Sequence, residues 1–178
     1  PVQMIITGEN LKDLIHQHEI ANENTYDIFS LTLTMDQLVK RYNVPKGEYI
    51  SYGSPIQNDY IETILLKDGY ILHPGDAILA CSAEIINMPA GYIGIVQTKG
   101  SLARLFISVH CSDGQVESGY HGKVTFEICN LGNIAVKISS GQPIAQIFIL
   151  ETSSVSVLYD GKYNNSKEPT ISNFNYNI

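Results

Sequence analysis

Glu127 stands inside an apolar strand pattern, where Val124, Phe126 and Ile128 alternate with Lys123, Thr125, Glu127 and Cys129. Strand side chains point to opposite faces in turn, so Glu127 shares a face with Thr125 and Cys129. A carboxylate with such apolar neighbours loses hydration, and its pKa rises unless partners keep it ionised. That is the equipment of a general acid–base, and a water-facing or Lys-paired glutamate fits the same pattern. Upstream, Lys99-Gly100-Ser101 forms a polar corner after the apolar run Tyr92 to Thr98, with Arg104 one short turn later. Cations and small polar groups at a corner suit phosphate. The apolar run Leu105 to Val109, the turn Ser112-Asp113-Gly114 and Val116-Glu117-Ser118-Gly119-Tyr120 lie between, and the last adds a second carboxylate. The stretch Gly91 to Asn130 thus has the parts to hold a phosphate at one end and move protons at the other.

The elements expected to carry these groups are mostly short strands. Val2 to Ile6 reads as a strand or lead-in. Asn10 reads as a helix cap with Asp13 three residues on, and Leu11, Leu14 and Ile15 have helical spacing, so a short helix is expected to about Gln17. Tyr26 to Thr34 alternates as a strand, and Met35 to Tyr42 suggests one or two helical turns. Tyr49 to Tyr52, Tyr60 to Leu66, Tyr70 to His73 and Ala77 to Cys81 read as strands, with Lys67-Asp68-Gly69 as a hairpin turn. Ile134 to Ile138 and Ile144 to Leu150 follow. Closely spaced short strands predict a mainly β fold, barrel-like or a sandwich. From Glu151 onward Ser, Asn and Lys dominate, so residues 151–178 read as a mobile tail on a single domain spanning 1–178.

The 178 residues suffice for one domain with a real core. A net charge of −7 argues against a general nucleic-acid binder. Charged residues make up only 16%, which hints at surface buried in an oligomer. No leader or long apolar span is evident, so nothing points to a membrane. Cys81, Cys111 and Cys129 are widely spaced without a CxxC pair, which speaks against structural zinc and for a reduced, cytoplasmic setting. All three read as small core residues. His16 and His18, two residues apart, do not share a helix face and read as a solvated helix end. The chain has no GxSxG elbow and no Walker A loop. It also lacks the HxE and PCxxC signatures of zinc nucleoside deaminases.

Several segments carry a resemblance to dCTP deaminases. Lys99-Gly100-Ser101-Leu102-Ala103-Arg104-Leu105 resembles their RSSLARLG segment, and His110 the end of their MVH strand. Val116 to Tyr120 resembles IDPGW, and Lys123 to Asn130 resembles ITLEFYN. Leu72-His73-Pro74-Gly75-Asp76 is similar to an LHPGE turn, Tyr26-Asp27-Ile28 to an early YDL strand, and Tyr159 to Tyr163 to a YRGKY tail. The matches run in consistent order over about residues 26–166, and the chain is identified as a member of the superfamily of dCTP deaminases and trimeric dUTPases.

The resemblance implies a distorted, barrel-like β-clip (dUTPase-like) subunit with a short N-terminal helix. It implies a homotrimer with active sites between subunits and a tail that closes over the nucleotide. It also implies a deoxynucleoside triphosphate substrate with magnesium held through the phosphates, and no zinc. Carried over residue by residue, Glu127 is the carboxylate that activates water, and Arg104 is the arginine beside it. Lys99, Gly100 and Ser101 form the phosphate corner, and Glu117 lies under the sugar. The Asp113 backbone reads the base edge beside Gln115, and Tyr159, Lys162, Tyr163 and Ser166 are the closing tail residues. Glu127 favours deamination, because the matching dUTPase position is normally not a carboxylate.

Five departures bear on substrate and rate. Lys99 replaces an Arg and loses its bidentate fork, and Gly100 replaces a Ser hydroxyl. Glu117 is one methylene longer than the usual Asp. Gln115 stands where Arg or His is common, and Asp113 where a small residue is common. Three functions therefore stay in view. The first is a dCTP deaminase forming dUTP and ammonia. The second is a bifunctional enzyme forming dUMP, or a dUTPase, with Glu117 activating water at the α-phosphate. Against a plain dUTPase, the tail has only Gly161 where those enzymes carry a Gly-rich motif. The third is a non-catalytic nucleotide-binding homologue.

Overall fold

The computed structural model describes residues 5–154 and 158–174. The start of the expected Val2–Ile6 strand and parts of the tail lie outside these residues. The first half of the fold comprises β1 (Ile5–Ile6), α1 (Gly8–His18), β2 (Tyr26–Asp27), β3 (Ser30–Thr34), β4 (Leu38–Tyr42), β5 (Ile61–Leu65), β6 (Tyr70–Leu72) and β7 (Ala77–Asn87). The second half comprises β8 (Tyr92–Thr98), α2 (Gly100–Ala103), β9 (Ile107–Ser108), β10 (Gln115–Val116), β11 (His121–Asn130), β12 (Val136–Ile138) and β13 (Pro143–Glu151).

The strands form two main sheets and a small ribbon. One sheet runs β10-β8-β13-β3-β2 with β1 on β13, the other runs β5-β4-β7-β11-β9, and β12 pairs with β6. The sheets face each other across a core that includes Leu31, Leu33, Val96, Phe126, Ile128 and Ile147. The result is the mainly β, distorted fold that the sequence suggests, without a closed barrel.

Several local readings are corrected. The helix runs from Gly8, with Thr7 in the cap position, so Asn10 lies inside it. Tyr26 to Thr34 is two strands, since β2 folds back on β3 through the exposed Ile28 and Phe29. Residues 38–42 are a strand, not helical turns. Leu38↔Leu65 through Tyr42↔Ile61 pair in register, Arg41 bonds Glu62 across the ladder at 2.7 Å, and sheet pairing outweighs local propensity. Tyr49 to Tyr52 forms no strand, and both tyrosines are exposed. Lys67 to Gly69 turns the chain but closes no hairpin, because β5 pairs with β4 and β6 with β12.

Two details fix β11, the strand that carries Glu127. Its register against β7 shifts between Lys123 and Thr125, where Val124 N–H donates instead to Ser82 Oγ at 2.9 Å. At its end the buried Asn130 uses both its amide donors and its side-chain oxygen within the fold. Nδ2 donates to Leu72 O (2.9 Å) and Ile134 O (2.8 Å), and Oδ1 accepts from Gly132 N (3.0 Å). The Asn130 carbonyl also accepts from Gly75 N at 3.0 Å, which wires the His73-Pro74-Gly75 turn to this strand.

Candidate active site

Alternation along β11 sends Val124, Phe126, Ile128 and Asn130 into the core and leaves Lys123, Thr125, Glu127 and Cys129 half-buried on the other face. That face forms one wall of a cleft of about 510 Å³, together with Leu79 and Tyr42. The opposite wall is Val96, Asp113, Gln115, Val116 and Glu117, contributed by β8, β10 and the loops around β10. The size suits a small molecule. Glu127 sits beside His110, with which it forms an isolated parallel bridge, and opposite Leu79. Its Oε2 is buried with no hydrogen-bond partner among the described residues. Burial, then the charge of Asp113, pushes its pKa up to about 7. A carboxyl poised there exchanges protons readily at neutral pH.

The tail closes the cleft on its own subunit. Tyr159 N donates to Ser118 O at 2.7 Å, Asn165 N to His121 O at 2.6 Å, and Lys123 N to Ser166 O at 2.8 Å. Thr170 N and Thr125 Oγ1 bond at 3.2 Å, and Lys40 pairs with Glu168 at 2.6 Å. Tyr159 and Tyr163 line the cleft with Thr170 and Ile171. Burial raises the Tyr159 pKa, so its phenol stays neutral. Two glycines permit this docking. A Cβ on Gly119 would lie 2.8 Å from Leu158 Cβ, and one on Gly122, whose φ is +146°, would lie 2.7 Å from Ser166 N. Gly122→Ala should therefore lift the tail. We expect cleavage after Lys162 and Lys167 by trypsin to quicken about tenfold with the circular dichroism of the sheets unchanged. An unchanged cleavage rate would mean that the tail does not depend on this contact.

Six residues assigned from the sequence meet in this cleft: Asp113, Gln115, Glu117, Glu127, Tyr159 and Tyr163. Lys162 lines a smaller neighbouring cavity, and its ammonium stacks on the Tyr163 ring at 5.3 Å. Ser166 is a buried anchor that pairs with Gly122 and donates its hydroxyl to Glu168 O at 2.8 Å. Lys99, Gly100, Ser101 and Arg104 are not in the cleft wall. They sit on α2 and its flanks, with Lys99 Nζ 3.5 Å from Asp27 and the Arg104 guanidinium folded over Gly100, 3.0 Å from where a Cβ would be. Among the described residues no cation acts on Glu127, so they do not make the expected Arg104–Glu127 pairing within one chain. Leu105, Phe106, Leu131 and Ile134, all exposed, surround this corner.

The sequence reading did not assign Tyr42, Thr125 and Thr170 to the site. Thr125 was signalled by its shared face with Glu127. Tyr42 was hidden by the helical reading of its strand, and Thr170 has no local signal. Two of the three cysteines are corrected as well. Cys81 is a core residue, Cys111 is exposed with a φ of +28°, and Cys129 is half-buried.

The dCTP deaminase-like family model matches residues 5–152. A Methanospirillum hungatei protein named dCTP deaminase, dUMP-forming, is 32% identical over 114 residues, 62% of this chain and 62% of that one. The first curated relatives are thus matched over about three fifths of their own length. A Dictyoglomus turgidum protein of the same name is 27% identical over 185 residues, covering 97% of this chain and 95% of the relative. The crystal structure of 2'-deoxycytidine 5'-triphosphate deaminase from Agrobacterium tumefaciens superposes with a TM-score of 0.64 at 17% identity, over 85% of this chain and 49% of that one, a likeness of fold. With its model match running from β1 to just past β13, this chain belongs to the dCTP deaminase-like family.

Proposed function

We propose that the protein is a hydrolytic deaminase of dCTP that forms dUTP and ammonia. The observation that carries this reading is Glu127, which lines the cleft and whose buried Oε2 has no partner among the described residues. Glu127 takes a proton from a water as its oxygen adds to C4 of cytosine. It delivers that proton to N3, and the resulting tetrahedral carbon loses ammonia after a further proton transfer to the amino nitrogen. Water and dCTP thereby become dUTP and ammonia. One positioned acid–base group of this kind is worth roughly 10²–10⁴ in rate. Glu117 takes the sugar hydroxyl, and the Asp113 turn with Gln115 holds the base edge. Tyr159 and Tyr163 cover the nucleotide, and Lys162 and Ser166 support the closed tail. Magnesium enters with the triphosphate. Among the described residues no three His, Cys, Asp or Glu side chains stand together as a protein cage, so the phosphates would hold the ion and it would neutralise their charge.

The active unit in this reading is a homotrimer. Arg104, Ser101, Gly100 and Lys99 of one subunit close the Glu127 cleft of the next. Support comes from the position of that corner outside its own cleft and from the exposed apolar residues around it, a surface that suits burial against another copy. The cytoplasm, where such nucleotides are handled, is the setting we assign.

A second reading, formation of dUMP, is favoured by Glu117 in the same cleft and by the name of the Dictyoglomus turgidum relative. Product analysis decides between them. Purified protein with magnesium is given dCTP, dUTP or CTP, and uracil nucleotide, ammonia and pyrophosphate are scored. Conversion of dCTP to dUTP with CTP untouched supports the first reading. Release of dUMP and pyrophosphate supports the second, and no turnover leaves a nucleotide-binding homologue.

The pH profile tests the role of Arg104. In the isolated subunit Glu127 titrates at about 7, and a neighbouring guanidinium lowers that value. The acid limb of kcat for the intact protein should therefore lie below 7, and Arg104→Gln should move it up towards 7. An acid limb that stays put would remove Arg104 from the neighbourhood of Glu127.

A further inference from the structure

We propose that Cys111 and Cys129 are a peroxide-reactive pair whose disulfide locks the turn over Glu127. Their sulfurs are 3.1 Å apart. Cys129 lies two residues along β11 from Glu127, on the same half-buried face. Cys111 is exposed, in the turn where Asp113 N donates to His110 O at 2.8 Å. A disulfide spans about 2 Å between sulfurs, so closure needs about 1 Å of movement in an exposed turn. Cys111 holds a φ of +28°, an unusual backbone for a residue with a Cβ, and that backbone aims its sulfur at Cys129. The third thiol, Cys81, is buried in the core beside Asp36 and serves as an internal control.

The chemistry balances with hydrogen peroxide as oxidant. The Cys111 thiolate attacks one peroxide oxygen, a sulfur–oxygen bond forms and the O–O bond breaks. The departing hydroxide takes up a proton and leaves as water. The Cys129 sulfur then attacks the sulfenic sulfur, the S–S bond forms, the S–O bond breaks and a second water leaves. Two thiols lose two electrons and two protons, and one peroxide becomes two waters. Burial and the adjacent Cys111 push the Cys129 thiol pKa up, and Cys111 is the exposed sulfur that peroxide reaches first.

The cross-link would tie the turn that carries Asp113 to the strand that carries Glu127. The effect on turnover rests on the deaminase reading, whereas the cross-link itself does not. In the full chain, peroxide should lower the intact mass by about 2 Da and leave only Cys81 open to alkylation after denaturation. A single tryptic species should join the Cys111 and Cys129 peptides. Hydrogen exchange across residues 110–114 should slow, and deamination should fall by about tenfold to a hundredfold, both returning with dithiothreitol. Cys129→Ser should lose the cross-link and expose a Cys111 sulfenic acid to dimedone.

Three thiols still open to alkylation, a bond between chains, or a bond to Cys81 would overturn the pairing. A confirmed cross-link with unchanged exchange at 110–114 would overturn the locking. If neither the reduced nor the oxidised protein turns over dCTP, the deaminase reading fails, while mass and exchange still decide the pair.

Discussion

Glu127→Gln should lower deamination roughly 10²–10⁴-fold while nucleotide affinity stays within about threefold. Gln fills the same space and still forms hydrogen bonds, but it cannot accept the proton of water. The same change should stabilise the fold at alkaline pH. The carboxyl of Glu127 has a pKa of about 7 in the folded subunit against 4.5 when unperturbed. Between those values the folded chain holds a proton that the unfolded chain has released. Stability is therefore full below about 4.5, falls as pH rises towards 7 and stays low above it. Gln never ionises and loses this slope. We expect a gain of roughly 1–2 kcal/mol at pH 8, discounted for partial solvent access, and none near pH 4. The contrast is clearest in an Arg104→Gln background, where the neighbour's cation no longer offsets the burial. Deamination that survives in Glu127→Gln would remove Glu127 from the mechanism.

Two inactive proteins should restore each other. Arg104→Ala keeps Glu127 and lacks the corner cation, and Glu127→Gln has the opposite defect. If every site takes Glu127 from one subunit and Arg104 from the next, a refolded equal mixture builds intact sites from complementary neighbours. Random assortment gives about a quarter of the wild-type activity, against almost none for either parent. If each subunit carried a whole site, mixing would return no more than the parents' average. The single-chain geometry motivates this test, because Arg104 lines no part of the cleft that holds Glu127.

The strand alternation around Glu127 was legible from residue types alone, since period-two patterning with one buried face leaves little choice. The mainly β class followed from the density of short strands, which left barrel and sandwich both open. Less legible were segments whose structure depends on distant partners. Residues 38–42 read as helical until β5 and β7 supplied a ladder on either side. The tail reads as unstructured because its Ser and Asn residues bury little. It is held instead through backbone bonds to Ser118, His121 and Lys123, which leave no side-chain pattern. The Cys111–Cys129 approach was hidden for another reason. Sequence spacing said nothing about a turn that folds Cys111 back onto β11.

Asn130 gives β11 an address. A strand can slide along its neighbour in steps of one residue, and each step exchanges the two faces. A slip by one would aim Phe126 or Ile128 into the cleft and press Glu127 into the core. Apolar burial penalises that error strongly, but it discriminates less against a slip by two, in which Val124, Phe126 and Ile128 trade places in the core. A buried amide is less forgiving, since Asn130 satisfies Leu72, Gly132 and Ile134 at one setting only. Three residues from Glu127, that amide works as a key in a lock. The lining of the cleft is thereby set partly by a residue outside its walls.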